Sequence, residues 1–330
     1  MGIKNMLKFL NTNYPELIKN INNDNFANSY NRVAIDISIL LYQVIIAIRN
    51  SGADMINSKG DISSHILGLF NKTIYLLKIN IMPIYVFDGK PPLLKQKVIQ
   101  TRRDIKKRAY SKLEEELSEE DKIKYFKRTV SISKKQIDEC KELLNLMGIP
   151  YIEAPEEADS QCAQLVKSGL ACGVLTEDMD ILTFGATTIY RNLASYKKDQ
   201  IQINLQEILS TLKLSYEQFV ELCILFGCDY SEKINISPNI MYSYYSIHKN
   251  MNTTLLALQK DKLLQINKTL QSDIANYPIY KEYFLNPPVH NITTIEYKKA
   301  DIVELEKLLV SHYGLVKSKI INKLKYLEQV

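Results

Sequence analysis

The stretch Ile81-Met-Pro-Ile-Tyr-Val-Phe-Asp88 is an apolar run that ends in an acidic residue, and Gly89 and the pair Pro91-Pro92 follow it. An apolar run of this length, rich in β-branched and aromatic residues and stopped by Gly and Pro, predicts a buried strand. A shorter run, Val33-Ala-Ile-Asp36, also ends in aspartate and precedes a helix expected over Ile37–Asn50. Two strands that each finish on a carboxylate are therefore the starting point for the fold.

The alternation of strand and helix continues along the chain. Periodicity, caps and turn residues predict helices over Asp61–Ile81, Lys95–Lys127 and Ser133–Met147, a strand over Pro150–Ala154, a helix from Pro155, a strand over Ala171–Leu175, and mainly helix from Asn204 onward. Such βαβα alternation predicts an α/β fold with a mostly parallel central sheet covered by helices.

The charge is unevenly distributed. Residues 90–135 contain 15 Lys or Arg against 7 Asp or Glu, a net charge of +8, which leaves −3 for the rest of the chain because the total is +5. A basic helical segment beside a slightly acidic body suits a polyanion held near a site that itself needs carboxylates. The alternative is that this Lys/Glu-rich segment is simply a solvated helix face. Because it has few core residues, we expect it to stand off the body.

Composition excludes several other classes. The five cysteines form no C-x-x-C pair, and their odd number predicts reduced, buried thiols in an intracellular protein. No apolar stretch is long and unbroken enough to span a membrane, so no membrane partner is expected. The chain contains no phosphate-binding G-x-x-x-x-G-K-[ST] loop, no H-E-x-x-H motif and no nucleophile elbow.

Seven acidic residues lie where strands end or where the following helices begin. They are Asp36, Asp88, Glu157, Asp159, Asp178, Asp180 and Asp229. In open α/β sheets, sites form at the carboxyl ends of the strands. Asp178 and Asp180 share one side if their turn is extended. Glu157 and Asp159 can converge if Glu157 lies where the chain enters its helix.

Seven converging carboxylates would repel one another unless cations were bound. Oxygen ligands with few His or Cys select Mg²⁺ or Mn²⁺ over zinc. Two such ions about 4 Å apart can activate water and stabilise the leaving oxygen of a phosphodiester. The alternative is that each aspartate is an ordinary helix cap or turn former, which is a common role for any single one of them.

The chain then resembles a known family, the eukaryotic and archaeal type of flap endonuclease. The resemblance covers about residues 1–240, in the family order, and its segments are Met1-Gly2-Ile3, Val33-Ala-Ile-Asp36, Val86-Phe-Asp-Gly-Lys-Pro-Pro92, Met147-Gly-Ile-Pro150, Ala154-Pro-Glu-Glu-Ala158, Thr176-Glu-Asp-Met-Asp180, Leu182-Thr-Phe-Gly185 and Gly227-Cys-Asp-Tyr230. It implies a nuclease fold of the PIN type, with a basic helical arch over 90–135 and a helix-hairpin-helix in the C-terminal region.

The resemblance also implies roles for individual residues. The seven carboxylates would hold two Mg²⁺ ions, for which Mn²⁺ can substitute. Lys95 and Arg102 would contact the scissile phosphate, and their spacing of seven separately predicts one helix face. Tyr42 would stack on the base beside the cut, an interaction worth about 1–3 kcal/mol. Further DNA contacts are expected from Gly2, Arg103, Lys106 and Lys107. The alternative is that Lys95 and Arg102 are solvent-facing cations and Tyr42 a half-buried helix residue.

Three departures from the family pattern stand out. Position 159 is Asp where the family usually has Glu, so the ligand can shift, bind through water or change the Mg²⁺/Mn²⁺ preference. The hairpin Lys233-Ile-Asn-Ile-Ser-Pro-Asn239 lacks the glycines and basic pair of the family motif G-I-G-P-K-R, so we expect it to bind duplex DNA and potassium less well than that motif. No sliding-clamp-binding peptide or basic tail is evident before Val330.

The sequence thus predicts a nuclease core over 1–225 and a helical C-terminal region with a degenerate helix-hairpin-helix over 226–330. The expected activity is hydrolysis of DNA at 5′ flaps, with 5′→3′ exonuclease activity, in replication and repair, by a monomer. A junction- or bubble-cutting nuclease and a non-catalytic DNA-binding scaffold are the alternatives. The role implies the nucleus, or a cytoplasmic replication compartment for a viral source.

Overall fold

The computed structural model describes residues 2–26, 31–57, 60–193, 199–231 and 233–329. Its strands are β1 (Lys19–Ile21), β2 (Asn31–Asp36), β3 (Ile81–Phe87), β4 (Tyr151–Glu153), β5 (Gly173–Leu175), β6 (Thr188–Arg191) and β7 (Gln200–Asn204). Its α-helices are α1 (Met6–Asn13), α2 (Ile37–Ile48), α3 (Ser64–Lys78), α4 (Gln96–Leu113), α5 (Glu119–Arg128), α6 (Lys134–Leu146), α7 (Ala158–Lys167), α8 (Asp180–Thr183), α9 (Leu205–Leu212), α10 (Tyr216–Phe226), α11 (Pro238–His248), α12 (Met251–Lys260), α13 (Lys268–Ile274), α14 (Tyr277–Leu285), α15 (Ile302–Glu306) and α16 (Lys317–Leu324).

The chain divides into two compact units that interleave along the sequence. Unit one consists of residues 1–22, 90–95 and 155–291, and unit two consists of residues 23–89, 96–154 and 292–330. The sequence predicts a domain boundary between residues 225 and 226. The two compact units group the residues differently, so this boundary stays a prediction.

The three strands of unit two pair in parallel. β3 lies between β2 and β4, and Asp36 at the end of β2 is in register with Val86 of β3. Every residue of β3 is buried, which explains its continuous apolar sequence. Helices α2, α3 and α6 pack in this unit, and Thr73 of α3 shares a buried 2.8 Å hydrogen bond with Tyr85 of β3. The carboxyl ends of β2 and β3 therefore lie side by side.

The basic segment forms two helices of unit two, α4 and α5, which pack against each other. α4 has a single buried residue, Ala109, and α5 has none. Arg49 fastens the end of α5, because its guanidinium donates to the carbonyl of Phe126 (2.9 Å) and to Thr129 Oγ1 (3.1 Å). Some acidic side chains of this segment pair with nearby lysines, as in Lys124–Asp121 at 3.0 Å. The segment is helical and poor in core residues, as expected.

Unit one contains the other four strands and most of the later helices. β5 pairs with β6 in parallel, whereas β7 pairs antiparallel with both β6 and β1. α7 packs on β5, and α10 packs with α11, α12 and α14. Glu221 of α10 is buried and accepts hydrogen bonds from Tyr245 Oη, the Met251 amide and Lys281 Nζ, which ties these helices together.

The α/β class expected from the sequence is confirmed, and so is the helical character of the later chain. Four details were wrong. The helix expected over Lys95–Lys127 ends at Leu113, and a second helix starts at Glu119 because Ser118 caps it by accepting from the Asp121 amide. The helix expected from Pro155 begins three residues later, at Ala158, with Glu157 as its N-cap in an extended conformation. β1, β6 and β7 were not anticipated. Cys172 is exposed, although the other four cysteines are buried as expected.

No helix in the described part of the chain is long and apolar enough to cross a membrane. This finding agrees with the hydropathy of the sequence.

A buried histidine makes the stability of unit two depend on pH. His65 of α3 is fully buried, and its Nε2 lies 2.7 Å from Glu139 of α6. Nδ1 is buried without a hydrogen-bond partner among the described residues. Burial lowers the pKa of His65 and outweighs Glu139, which raises it. A proton on Nδ1 would be unsatisfied, so the folded state disfavours the charged ring.

We therefore expect the free energy of unfolding to fall as pH drops below about 6.5, the ordinary histidine pKa, because the unfolded chain then binds the extra proton. His65→Gln keeps a donor to Glu139 and should flatten this part of the curve, measured by urea unfolding between pH 7.5 and 5.5. The matched control is His248→Gln at an exposed histidine. Parallel stability–pH curves for the wild type and His65→Gln would contradict the assignment.

Candidate metal centre

Two acidic side chains of unit one are buried in the loop that follows β5. The amide of Asp178 donates to Thr176 Oγ1 (2.9 Å), and the amide of Asp180 donates to Asp178 Oδ1 (3.2 Å). Met179 between them has helical backbone angles, so the expected extended turn is wrong. The two carboxylates are nevertheless held close together, because the loop folds back as Asp180 opens α8.

Burial and mutual repulsion disfavour the charged forms of these two groups. Asp178 is 8% and Asp180 4% exposed. Burial raises the pKa of Asp178, and nearby Asp229 raises it further. Burial also raises the pKa of Asp180 well above its usual range, with Asp178, Asp229 and Glu157 adding to the effect and Lys95 opposing it. A bound cation would offset this repulsion and stabilise the charged forms of both carboxylates.

Gly2 lies directly against the two carboxylates. A Cβ added to Gly2 would stand 1.5 Å from Asp178 Oδ1 and 2.8 Å from Asp180 Oδ1. Its φ of +79° is in the region that favours glycine. The next residues are anchored by a 2.8 Å hydrogen bond from the Lys4 amide to the carbonyl of Gly227. The N-terminal segment therefore forms one wall of the carboxylate cluster.

Glu157, at the start of α7, is held by two partners in unit one. Tyr230 Oη donates to one carboxylate oxygen, and Lys95 Nζ forms an ion pair with the other. Burial alone would lower the pKa of Lys95, but Glu157, Asp159 and Asp180 raise it more strongly, so the net shift is upward. Lys95 is thus a firmly charged group within the cluster.

Asp159 and Asp229 complete the acidic set of unit one. Asp159 lies in the first turn of α7 and is half-buried. Asp229 is half-buried in the turn after α10, where the Cys228 amide donates to Ser231 Oγ (3.1 Å). The effects of Asp159 on Lys95, and of Asp229 on Asp178 and Asp180, show that these carboxylates share one electrostatic environment.

The other two predicted carboxylates form a pair in unit two. Asp36 caps α2, because its Oδ1 accepts hydrogen bonds from the amides of Ser38 (2.7 Å) and Ile39 (3.3 Å). Asp88 follows β3 directly, and its Oδ2 accepts from Ser38 Oγ (2.7 Å). Ser38 therefore links the two carboxylates at adjacent strand ends. Asp36 is thus a helix cap, the role given above as the alternative for any single aspartate, and its role as a metal ligand stays a prediction.

Tyr42 and Arg102 lie close enough in unit two to influence one another. Burial raises the pKa of the partly exposed Tyr42 hydroxyl, while Arg102 lowers it and Asp88 raises it. Arg102 is on α4, but Lys95 is the last residue of a 3-10 turn that ends immediately before α4. The expectation that Lys95 and Arg102 share one α-helix is therefore wrong.

The remaining predicted DNA contacts of the basic segment are accessible. Arg103 and Lys107 are exposed on α4, and Lys106 is half-buried with its ammonium 5.9 Å from the centre of the Tyr110 ring. A stripe of cations on a helix that buries only Ala109 suits contact with a polyanion.

The altered hairpin forms a conventional helix start. Ser237 caps α11 by accepting from the Ile240 amide (3.3 Å), and Pro238 is the first helical residue. Asn13 of α1 donates to the side chain of Asn239 (2.9 Å), and Ile234 is buried. Capping and contacts to α1 thus occupy the place of the glycine-rich loop.

The acidic residues of unit one fit a hydrated divalent cation. Oδ1 of Asp180 is buried without a hydrogen-bond partner among the described residues, and it lies beside Asp178 and the side-chain-free Gly2. Within the same part of the chain, no three acidic, histidine or cysteine side chains enclose one point as a preformed cage. Mg²⁺ does not need such a cage, because it keeps several waters and takes one or two carboxylates directly.

Sequence reasoning missed three groups that support these carboxylates. Ser38 and Tyr230 each hold a predicted acid, and Tyr230 was quoted only as part of a motif. Arg191 binds the loop that carries Asp178 and Asp180. No sequence signal marks Ser38 or Arg191, because the contacts of Ser38 Oγ with Asp88 and of Arg191 with Glu177 form only once the strands that carry them are folded together.

Comparison with protein families and curated proteins finds extensive similarity. The XPG N-terminal domain matches residues 1–109, and the XPG I-region matches residues 148–229. A protein named Flap endonuclease 1 from Heterostelium pallidum is 40% identical over 339 residues, covering 98% of this chain and 85% of that protein. One of the same name from Nematostella vectensis is 40% identical, covering 90% and 79%.

Solved structures agree. The flap endonuclease-1 of Methanococcus jannaschii superposes with a TM-score of 0.72 at 32% identity, covering 94% of this chain and 95% of that one. The catalytic core of Rad2 in complex with DNA substrate gives a TM-score of 0.74 at 27% identity, covering 99% and 100%. Human GEN1 in complex with Holliday junction DNA gives 0.66 at 20% identity, which shows likeness of fold alone.

Gly2→Ala tests the carboxylate cluster directly. The added methyl group must displace Asp178, so we expect Mg²⁺ to bind about 10-fold more weakly, measured as the Mg²⁺ concentration that half-saturates the rise in Tm. Gly169→Ala is the matched control, because Gly169 also has a positive φ (+73°) but nothing lies near its added Cβ. An unchanged Mg²⁺ midpoint in Gly2→Ala would show that Gly2 does not border the metal centre.

Proposed function

The chain belongs to the flap endonuclease family, and we propose that it cuts DNA at the junction of a 5′ single-stranded flap with a duplex. It is a structure-specific 5′ nuclease and hence a DNA phosphodiesterase. The observation that supports this function most strongly is 40% identity to a flap endonuclease over 98% of the chain. All seven acidic residues that the chemistry needs are present in this chain.

The proposal assigns metal binding to the acidic sets of both units. In unit one these are Glu157, Asp159, Asp178, Asp180 and Asp229, and in unit two they are Asp36 and Asp88. The family is metal-dependent, and two Mg²⁺ ions, or Mn²⁺ in their place, would activate water and stabilise the leaving 3′ oxygen. Asp159 is shorter than the usual Glu, so we propose that it acts through water.

The remaining roles fall to cations and to one aromatic ring. Lys95 is fixed by Glu157 and kept charged, and an ammonium has three donors, so it can retain Glu157 and also reach a phosphate oxygen. Arg102 would bind the same phosphate, and the charge-assisted hydrogen bonds of both would stabilise the transition state. Tyr42 lies in the middle of α2 and is partly exposed, so it can stack on an unpaired base.

The altered hairpin favours one variation on this function. A capped helix start offers fewer free amides to duplex phosphates than a glycine-rich loop. The junction-cutting alternative rests on this departure, whereas the scaffold alternative conflicts with the retention of all seven acids. Cleavage of a 5′ flap, a nicked duplex, a bubble and a four-way junction under one set of conditions separates these functions. We expect the flap to be cut fastest; preference for the four-way junction would support the alternative.

The proposed role also implies a place of action. Relatives named Flap endonuclease 1 occur across eukaryotes, and processing of flaps belongs where DNA is copied and repaired, so we propose the nucleus.

Asp178→Asn tests the metal assignment. Asparagine keeps the size of the side chain but removes the charge that would hold a cation, so flap cleavage in Mg²⁺ should fall by about 100-fold or more. Flap-DNA affinity measured in EDTA should change by less than about 2-fold, since loss of a negative charge does not weaken binding to a polyanion. Glu16→Gln at an exposed acid is the control. Turnover near the wild-type value in Asp178→Asn would refute the assignment.

A further inference from the structure

The loop between β5 and α8 contains a third acid that points away from the carboxylate cluster. Glu177 lies between Thr176 and Asp178, yet both of its carboxylate oxygens are engaged elsewhere in unit one. Oε1 accepts a 2.9 Å hydrogen bond from the Asn192 amide, and Oε2 lies 2.9 Å from Arg191 Nη2. Glu177 is therefore occupied by protein donors.

Arg191 grips the same residue at a second point. Its Nη1 donates to the main-chain carbonyl of Glu177, so one guanidinium holds both the backbone and the side chain of this residue. The Arg191 side chain is 12% exposed and the Glu177 side chain 35%, so the guanidinium is largely buried while the carboxylate is partly open to solvent. A planar guanidinium with several fixed donors suits such a two-point contact, whereas lysine does not.

The geometry around Arg191 is fixed by the sheet and by one special backbone conformation. Arg191 is the last residue of β6 and pairs with Ile201 of β7. Asn192 has a φ of +61°, a left-handed conformation that asparagine tolerates, and it presents its amide to Glu177. The donors to Glu177 therefore lie at the end of β6, which is held in place by its pairing with β7.

We propose that Arg191 is a positioning residue, which orients Asp178 and Asp180 by clamping Glu177 to the end of β6. The inference rests on the proposed metal-dependent nuclease function. It goes beyond that function because it gives roles to two residues that do not contact the reacting atoms. Arg191 holds Glu177, and Glu177 connects Arg191 to the loop that carries Asp178 and Asp180.

Few covalent bonds separate Glu177, which Arg191 holds, from the carboxylates of Asp178 and Asp180. Asp178 follows Glu177 directly, and its amide is held by Thr176 Oγ1. The Thr176 amide in turn donates to the carbonyl of Tyr190 (3.0 Å), next to Arg191. Every residue from 176 to 178 is thus tied either to β6 or to a neighbour in the loop. Releasing Glu177 frees the loop on the side facing β6 and lets both carboxylates drift.

The test compares Arg191→Gln, Arg191→Lys, Glu177→Gln and the double variant Arg191→Gln/Glu177→Gln. Outer partners of metal ligands typically contribute about 10–100-fold to metal affinity or activity. We expect each Gln variant to raise the Mg²⁺ midpoint of thermal stabilisation, and to lower flap cleavage, by at least about 10-fold. Arg191→Lys should recover only part of the loss.

The double variant distinguishes a clamp from two independent effects. If Arg191 acts through Glu177, the double variant should lose about as much as the worse single variant rather than the product of the two losses. Flap-DNA affinity in EDTA should stay within about 2-fold of the wild type. A general structural defect would instead lower Tm without Mg²⁺ and would not show this pattern.

The matched control is Lys19→Gln/Glu207→Gln, which removes a more exposed ion pair of the same unit between β1 and α9. It should leave both readouts unchanged. Wild-type flap cleavage together with a wild-type Mg²⁺ midpoint in Arg191→Gln and Glu177→Gln would overturn the clamp. Absence of cleavage by the wild type would instead overturn the proposed function.

Discussion

Two carboxylates buried beside each other, Asp178 and Asp180, impose the constraint on which the site depends. Removing an ionised carboxylate from water costs several kcal/mol unless a charge or hydrogen bonds compensate for it. The chain supplies part of that compensation through Lys95 and through the amide of Asp180. Oδ1 of Asp180 remains buried without a hydrogen-bond partner among the described residues. The chain thus keeps an arrangement whose natural complement is a divalent cation.

Much of the surrounding structure serves to maintain this arrangement. Gly2 allows the N-terminal segment to pack where any side chain would collide with the acids. Tyr230 orients Glu157, and Ser38 does the same for the pair Asp36 and Asp88. The hydroxyls of Tyr230 and Ser38 fix the orientation of the carboxylates that they contact, because each donates to one carboxylate oxygen. Rigid placement of this kind suits metal ligands, since small displacements of a ligand change both affinity and rate.

The sequence was most informative where chemistry is local. Asp36 and Asp88 could be placed because apolar strands stop at them, and the parallel pairing of β2 with β3 then brings them together. It was least informative where contacts join distant segments. Nothing near Arg191 or Gly2 in the sequence shows that they meet Glu177 or Asp178, because such contacts arise only when strands and loops far apart in the chain are folded together. Element boundaries failed for a different reason: Pro155 suits a first helical turn, but the extended conformation of Glu157 delayed the helix.

The proposed chemistry requires the acidic side chains of this chain to hold two divalent cations. Anomalous diffraction from crystals of the protein with flap DNA and Mn²⁺ tests it most directly. We expect two anomalous peaks about 4 Å apart, each within bonding distance of carboxylate oxygens among the seven acids. No peak at these carboxylates, or Mn²⁺ bound only by other residues, would contradict it.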